Sequence, residues 1–159
     1  MKHKMYRLAN RLLNNIPEAE DVVQEVFIRL WNRKEKLAEY RNLEAFSITI
    51  TKNLCLDRLK SKRNKTDELT DQNEKTENLT PGMAMELNDT YKKVNHLINQ
   101  LPEQQRMIVQ LRDIEGYDFT EIAEMLNITE NTIRVNLSRA RKKIRDGMQK
   151  KYDYEYTGN

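Results

Sequence analysis

Cysteine occurs once in the 159 residues, at position 55, so no intrachain disulfide can form and the chain reads as a protein of a reducing compartment. Three prolines and four glycines leave few chain breaks and speak against a turn-rich β architecture. No apolar run is long enough to span a bilayer and no signal-peptide pattern opens the chain, so it reads as soluble and cytoplasmic. Histidine stands only at positions 3 and 96, and no metal-ligand cluster or glycine-rich phosphate loop occurs. No metal, cofactor or small-molecule substrate is expected. An enzyme would have to use Cys55 as nucleophile with His3 or His96 as base. These pieces are isolated, and Cys55 falls in a helix-interior pattern, so a non-enzymatic protein is the better reading.

Charge is abundant: Asp, Glu, Lys and Arg make up 33% of the chain. It is also segregated. Net charge runs +6 over residues 1–63, −3 over 64–93, −4 over 94–128, +6 over 129–151 and −2 over 152–159. Two basic regions flank an acidic middle, which suggests two phosphate-facing surfaces on two modules. Residues 64–88 are rich in Asn, Thr, Asp and Glu and lack an apolar period, so they cannot offset their ordering entropy. The expected fold is all-α, with two small helical domains (1–63 and 89–149) joined by a flexible acidic linker (64–88), and a tail (150–159) that reads as a frayed end. The linker acids Asp67, Glu68, Asp71, Glu74, Glu77 and Glu86 are expected to repel DNA from the path between modules.

Residues 118–145 carry the sharpest local signal. Asp118 and Glu121 are spaced to cap a short helix bearing Ile122, Ala123 and Leu126. Asn127 then suits a left-handed helix stop, and Thr129 caps the next helix. Ile133, Leu137, Ala140 and Ile144 form one apolar stripe. The opposite face displays Glu130, Asn131, Thr132, Arg134, Asn136, Ser138, Arg139, Arg141, Lys142 and Lys143. A small residue at the crossing, a specified turn and a one-sided polar face together make a helix-turn-helix, which places its second helix in the DNA major groove.

In the first module Met5, Leu8, Ala9, Leu12 and Leu13 predict an amphipathic helix ended by Asn14-Asn15-Ile16-Pro17. Ala19, Val22, Val23, Val26, Phe27, Leu30 and Trp31 predict the inward stripe of the next. A second line on that helix, Asp21, Gln24, Glu25 and Ile28, combines acids, an amide and an outward apolar residue. It suits docking of a basic partner, although acids near a helix start also serve the dipole. A third helix, from about Leu43 to Arg63, buries Leu43, Phe46, Ile50 and Leu54. Its end collects Lys52, Arg58, Lys60, Lys62 and Arg63, and the preceding loop carries Arg33, Lys34, Lys36, Tyr40, Arg41 and Asn42. Cations interleaved with aromatic and amide groups suit a nucleic-acid strand. Asn53 and Asp57 are expected to hydrogen-bond within the fold.

AEDVVQEVFIRLW (19–31), NLCLDRLKSKR (53–63) and LPEQQRMIVQLRDIEGYDFTEIAEMLNITENTIRVNLSRARKKIR (101–145) resemble, in order, the conserved modules of the extracytoplasmic-function sigma factors, promoter-specificity subunits of bacterial RNA polymerase. The resemblance spans residues 5–148 apart from the linker. It implies that Asp21, Gln24, Glu25 and Ile28 dock on the clamp coiled coil of the largest subunit of core RNA polymerase. It assigns the 33–42 loop and the Lys52–Arg63 stretch to the −10 promoter element, and residues 130–142 to the −35 element. There Arg or Lys would meet guanine edges, Asn131 or Asn136 adenine, and Thr132 or Ser138 phosphate. Two weak DNA modules on a tether would bind promoter DNA poorly until the polymerase fixes their separation. An anti-sigma factor is the further partner the resemblance implies. Val135-Asn136 departs from the small hydroxyl and cation usual there, so base preference does not transfer. The alternative is a free-standing helix-turn-helix regulator binding an operator, which would need a dimerisation surface that the sequence does not offer.

Overall fold

The computed structural model describes residues 1–66 and 85–157. Among these, all regular structure is helical: α1 Lys2–Leu13, α2 Ile16–Asn32, a 3-10 turn Lys34–Glu39, α3 Leu43–Thr66, α4 Met85–Asn99, α5 Glu103–Val109, a π turn Gln110–Ile114, α6 Phe119–Leu126 and α7 Glu130–Thr157. Helix α3 runs past the expected boundary, and α4 begins before residue 88. The ends of the 64–88 segment are therefore helical. Asp67, Glu68, Asp71, Glu74 and Glu77 lie outside the described residues, and Glu86 falls within α4. Helix α7 likewise continues through most of the expected tail.

Two asparagines shape the chain turns. α1 stops at Asn14, which adopts left-handed φ 49° and ψ 41° and donates its N–H to the Asn10 carbonyl. Asn15 then caps α2, its side-chain oxygen accepting the Glu18 N–H at 3.0 Å. α6 is capped by Asp118, which accepts the Glu121 N–H at 2.8 Å. It ends at Asn127, with φ 54° and ψ 49°. Thr129 Oγ1 accepts the Thr132 N–H at 3.1 Å and opens α7. Each cap satisfies backbone groups that a helix end leaves unpaired.

The first module is built on α1. Its Met5, Leu8, Ala9, Leu12 and Leu13 are buried against α2 and α3. From α2, Ala19, Val22, Val23, Val26 and Leu30 enter this core. Phe27 and Trp31 do not: they are 38% and 69% exposed. A helix covered by two neighbours buries a stripe narrower than the seven positions the sequence pattern offers. On α3 the buried residues are Ser47, Ile48, Thr51, Leu54 and Cys55, whereas Leu43, Phe46 and Ile50 are half-buried. The hydroxyls of Ser47 and Thr51 donate back to the carbonyls of Leu43 (2.7 Å) and Ser47 (2.8 Å), so both polar side chains are satisfied inside the core.

In the second module α7 buries Ile133, Leu137 and Ala140 against α5 and α6. α4 also lies on α7, where a Cβ on Gly147 would stand 2.5 Å from Leu97 Cδ2. After α5 the helix widens: the Glu115 N–H donates to the Gln110 carbonyl at 3.0 Å, five residues back. Positions five apart do not face each other on an α-helix. Here Gln110 Nε2 reaches Glu115 Oε1 at 3.3 Å.

The modules pack together, α1 against α5 and the π turn, and α3 against α6. The buried apolar residues of both modules form one cluster, and polar groups bond across the contact as well. Arg7 holds Glu115 in a two-point pair at 2.5 and 2.8 Å. Arg11 donates to Gln110 Oε1 (2.9 Å) and to the side-chain oxygens of Asn95 and Asn99. Burial lowers the pKa of this guanidinium, which has amide oxygens around it rather than a carboxylate. The Tyr117 hydroxyl donates to Glu44, which also pairs with Lys4 at 2.7 Å. Those two bonds, first Lys4 and then Tyr117, hold the Glu44 carboxyl below its usual range. Arg63 on α3 meets Glu103 at 3.2 Å.

Left-handed backbone costs an L-residue other than Asn or Gly about 1–2 kcal/mol. Asn127→Ala should therefore lose stability of that order in urea unfolding, whereas Asn127→Gly should lie close to the parent. Equal losses from both would show that the Asn side chain, and not its backbone, matters at this turn.

Candidate functional site

The described residues present three surfaces where the sequence places its candidates. The first lies on α2. Asp21 and Gln24 are exposed, Glu25 is half-buried, and Ile28 is 60% exposed. Glu25 is drawn toward its own module, pairing with Arg29 at 3.0 Å and approaching Arg58 at 3.9 Å. Trp31 extends the line by one turn beyond Ile28, and the Lys34 ammonium sits 4.6 Å from its ring centroid. Large apolar side chains this exposed beside acids mark an interaction surface more strongly than the acids alone. Sequence reasoning missed Trp31 and Phe27 because they satisfy the core period.

The second surface is the loop between α2 and α3. Arg33, Lys36 and Tyr40 share an open cleft of ≈ 380 Å³ with Asn32 and Glu35. Tyr40 stacks on Phe46, with centroids 4.1 Å apart and planes at 17°. Arg41 and Asn42 stand next to this stack, and Asn42 also caps α3 by accepting the Ala45 N–H at 3.0 Å. The cations of α3 do not join the cleft as one patch. Arg58 approaches Glu25, Lys62 pairs with Glu18, and Arg63 meets Glu103. Lys60 is exposed. Lys52 is half-buried, and desolvation pulls its ammonium below the usual range. Asn53 and Asp57, expected to bond inside the fold, both face solvent.

The third surface is the outer face of α7. Asn131, Arg134, Ser138, Arg139, Arg141 and Lys142 are exposed, and Glu130, Thr132 and Asn136 are half-buried. Several of them are held locally. Glu130 accepts from Thr120 at 2.8 Å and pairs with Arg134 at 3.6 Å. Thr132 meets Thr129 at 2.8 Å, and Asn136 Nδ2 donates to the Thr132 carbonyl at 2.9 Å. Arg134 also lies 5.5 Å from the Phe119 ring centroid. Arg141 is clamped by both oxygens of Asp113, at 2.6 and 3.2 Å, and that bond raises its pKa. Asn131, Ser138, Arg139 and Lys142 complete an outward row of amide, hydroxyl and cationic groups, the donors that base edges and phosphates accept.

Cys55 lies in the interior of α3. It is fully buried, and desolvation pushes its thiol up to about 12, whereas a nucleophilic cysteine needs a thiolate. Among the described residues no group of His, Cys, Asp and Glu is arranged to hold a metal, and no helix is long and apolar enough to cross a membrane.

Residues 1–65 match the family described as Sigma-70 region 2, and residues 91–144 match the one described as Sigma-70, region 4. The chain is 31% identical to the ECF RNA polymerase sigma factor SigW of Bacillus subtilis, an alignment that covers 91% of this chain and 82% of the relative. It is 30% identical to the ECF RNA polymerase sigma factor SigL of Mycobacterium tuberculosis, with the same coverage of 91% and 82%. Two solved structures share the fold. One is the sigma factor RpoE of Bartonella quintana in complex with the anti-sigma factor NepR, with TM-score 0.79, 19% identity, and coverage of 93% of this chain and 91% of that one. The other is CnrH in complex with the cytosolic domain of CnrY, with TM-score 0.63, 18% identity, and coverage of 92% and 80%. A helix-turn-helix preceded by a three-helix module, both matched in the same order by family and by relatives, makes this chain a member of the ECF RNA polymerase sigma factors.

Proposed function

We propose that α2 docks this chain on core RNA polymerase through Asp21, Gln24, Glu25 and Ile28, with Trp31 enlarging that face, and that the other two surfaces read the promoter. As an ECF sigma factor the chain directs promoter-specific initiation of transcription, a binding function and not a known enzymatic one. The observation that carries the docking reading is the exposure of Ile28 and Trp31, 60% and 69%, beside acids on one helix. An apolar centre with a charged rim is the usual anatomy of an interface. The partner surface is then basic and partly apolar, as the clamp coiled coil of the largest subunit would be. The free-standing regulator is not favoured, since both family matches belong to polymerase sigma subunits.

On the DNA side, the Arg33, Lys36 and Tyr40 cleft with the Tyr40–Phe46 stack suits an unstacked base of the −10 element, aromatic rings meeting bases while cations follow the backbone. Arg41, Asn42 and Lys60 extend that track. The outward row of α7 suits the major groove of the −35 element. Arg58, Lys62 and Arg63 are engaged with Glu25, Glu18 and Glu103, so they contact DNA only by exchanging one anion for another. RpoE is solved with an anti-sigma factor and CnrH with the cytosolic domain of CnrY. A protein partner that withholds this chain from polymerase is part of the same reading.

Asp21→Arg combined with Glu25→Arg should abolish pull-down of bacterial core RNA polymerase while helicity by circular dichroism is kept. Undiminished core binding would overturn the docking face. Arg134→Ala should cost about 1–3 kcal/mol on the cognate promoter if it pairs with guanine. A loss equal on all sequences, with a shallower salt dependence, would instead make it a phosphate contact. Asp113→Asn should release Arg141, tighten binding to any duplex and steepen the salt dependence by about one phosphate contact. An unchanged salt slope would place Arg141 away from DNA.

A further inference from the structure

Helix α7 carries one outward residue of the wrong polarity for its face. Val135 lies in the second turn, two residues from both Ile133 and Leu137. At about 100° per residue it therefore points away from the stripe that those two bury. It is 39% exposed, and it belongs neither to the buried core nor to the apolar residues packed against that core. Every other exposed residue from 131 to 150 is polar or charged. Helix formation does not call for Val there either, because a β-branched residue forms exposed helix less readily than Ala, Arg or Lys.

Its neighbours are differently committed. Glu130 bonds to Thr120 and pairs with Arg134, Thr132 meets Thr129, and Asn136 Nδ2 donates to the Thr132 carbonyl. Asn131 stands one turn before Val135, and Ser138 and Arg139 one turn after it, all exposed. The middle of the face is thus an amide, an isopropyl group and a hydroxyl in line, with cations beside them. Those cations suit a polyanion. In a major groove, phosphates and most of the base edge offer donors and acceptors that Val cannot meet, and covering them with an apolar group costs their hydration. One apolar group is available there, the C5 methyl of thymine. Val keeps one χ1 rotamer in a helix in about nine cases of ten, so its own methyls are positioned before DNA arrives. A protein partner would call for a wider apolar centre, and no second large apolar side chain is exposed on the described part of this face.

We propose that Val135 is a specificity-determining residue of this chain, seated against the C5 methyl of one thymine in the −35 element. The inference rests on the −35 reading of α7 given above and deepens it. One position of the element is chosen by a methyl group and not by a hydrogen bond.

The test uses holoenzyme assembled from the full chain and bacterial core RNA polymerase. Promoter fragments randomised across the −35 segment are selected by binding. Each thymine of the selected segment, on either strand, is then replaced singly by deoxyuridine, which keeps the base pair and removes only the methyl. With the parent, one such replacement should weaken holoenzyme binding about fourfold, the worth of one buried methyl group. Val135→Ala and Val135→Ser should bind the thymine and deoxyuridine duplexes equally. Both shorten an exposed side chain, so helicity by circular dichroism and core pull-down should be kept. A selected segment with no methyl-sensitive thymine, or one whose sensitivity survives both substitutions, overturns the assignment while leaving the −35 reading in place. Loss of core pull-down in either variant overturns it too, since the face would then be a protein contact. A parent holoenzyme that selects no sequence in the −35 segment removes the −35 reading itself, and this inference with it.

Discussion

One desolvated guanidinium organises the meeting of the two halves. Arg11 sits near the end of α1, whose apolar face is buried against α2 and α3, and its guanidinium turns toward the second module. Removing a cation from water is costly unless its donors are fully matched. Here three side-chain amide oxygens, from α4 and the π turn, do the matching. Among the described residues its bonded acceptors are neutral, so the join is specific in geometry.

The π turn is the least expected element and the one on which the seam depends. An uninterrupted α-helix from Glu103 to Glu115 would point Gln110 and Glu115 to different faces. With the extra residue in the turn they align toward α1, and Gln110, 1% exposed, links the two arginines through Glu115. Wide turns of this kind occur often at functional positions. Here the wide turn follows a helix that packs on α7 and brings Gln110 and Glu115 to α1.

Local chemistry was legible in the sequence where a single residue type answers a single backbone demand. Asn14, Asn15, Asp118, Asn127 and Thr129 end or begin helices as their side chains require, and Ile133, Leu137 and Ala140 of the α7 stripe are buried where its period puts them, with Ile144 half-buried. Tertiary matters were not legible. Ser47 and Thr51 look like surface residues until their hydroxyls are seen to bond one turn back. Trp31 looks like core because period alone does not say how many neighbours a helix has. Arg7 and Arg11 carry no signal in the sequence, since nothing near them announces Asn95 or Glu115. Pattern alone put the candidate polymerase face on α2 and the outward polar row on α7, and both stretches are helical. What pattern did not reveal is that acids of the chain itself already engage Arg58, Lys62, Arg63 and Arg141.

Helix α7 runs unbroken for 28 residues, a rod of about 42 Å at 1.5 Å per residue. Residues 131–142 carry the outward amides and cations on one side and are fixed on the other by Ile133, Leu137 and Ala140, and Gly147 lets α4 brace the helix farther along. The outward row and the packed stripe therefore share the same turns, so the row is as stiff as the core beneath it: a shift of Ile133, Leu137 or Ala140 tilts every outward group from 131 to 142 together.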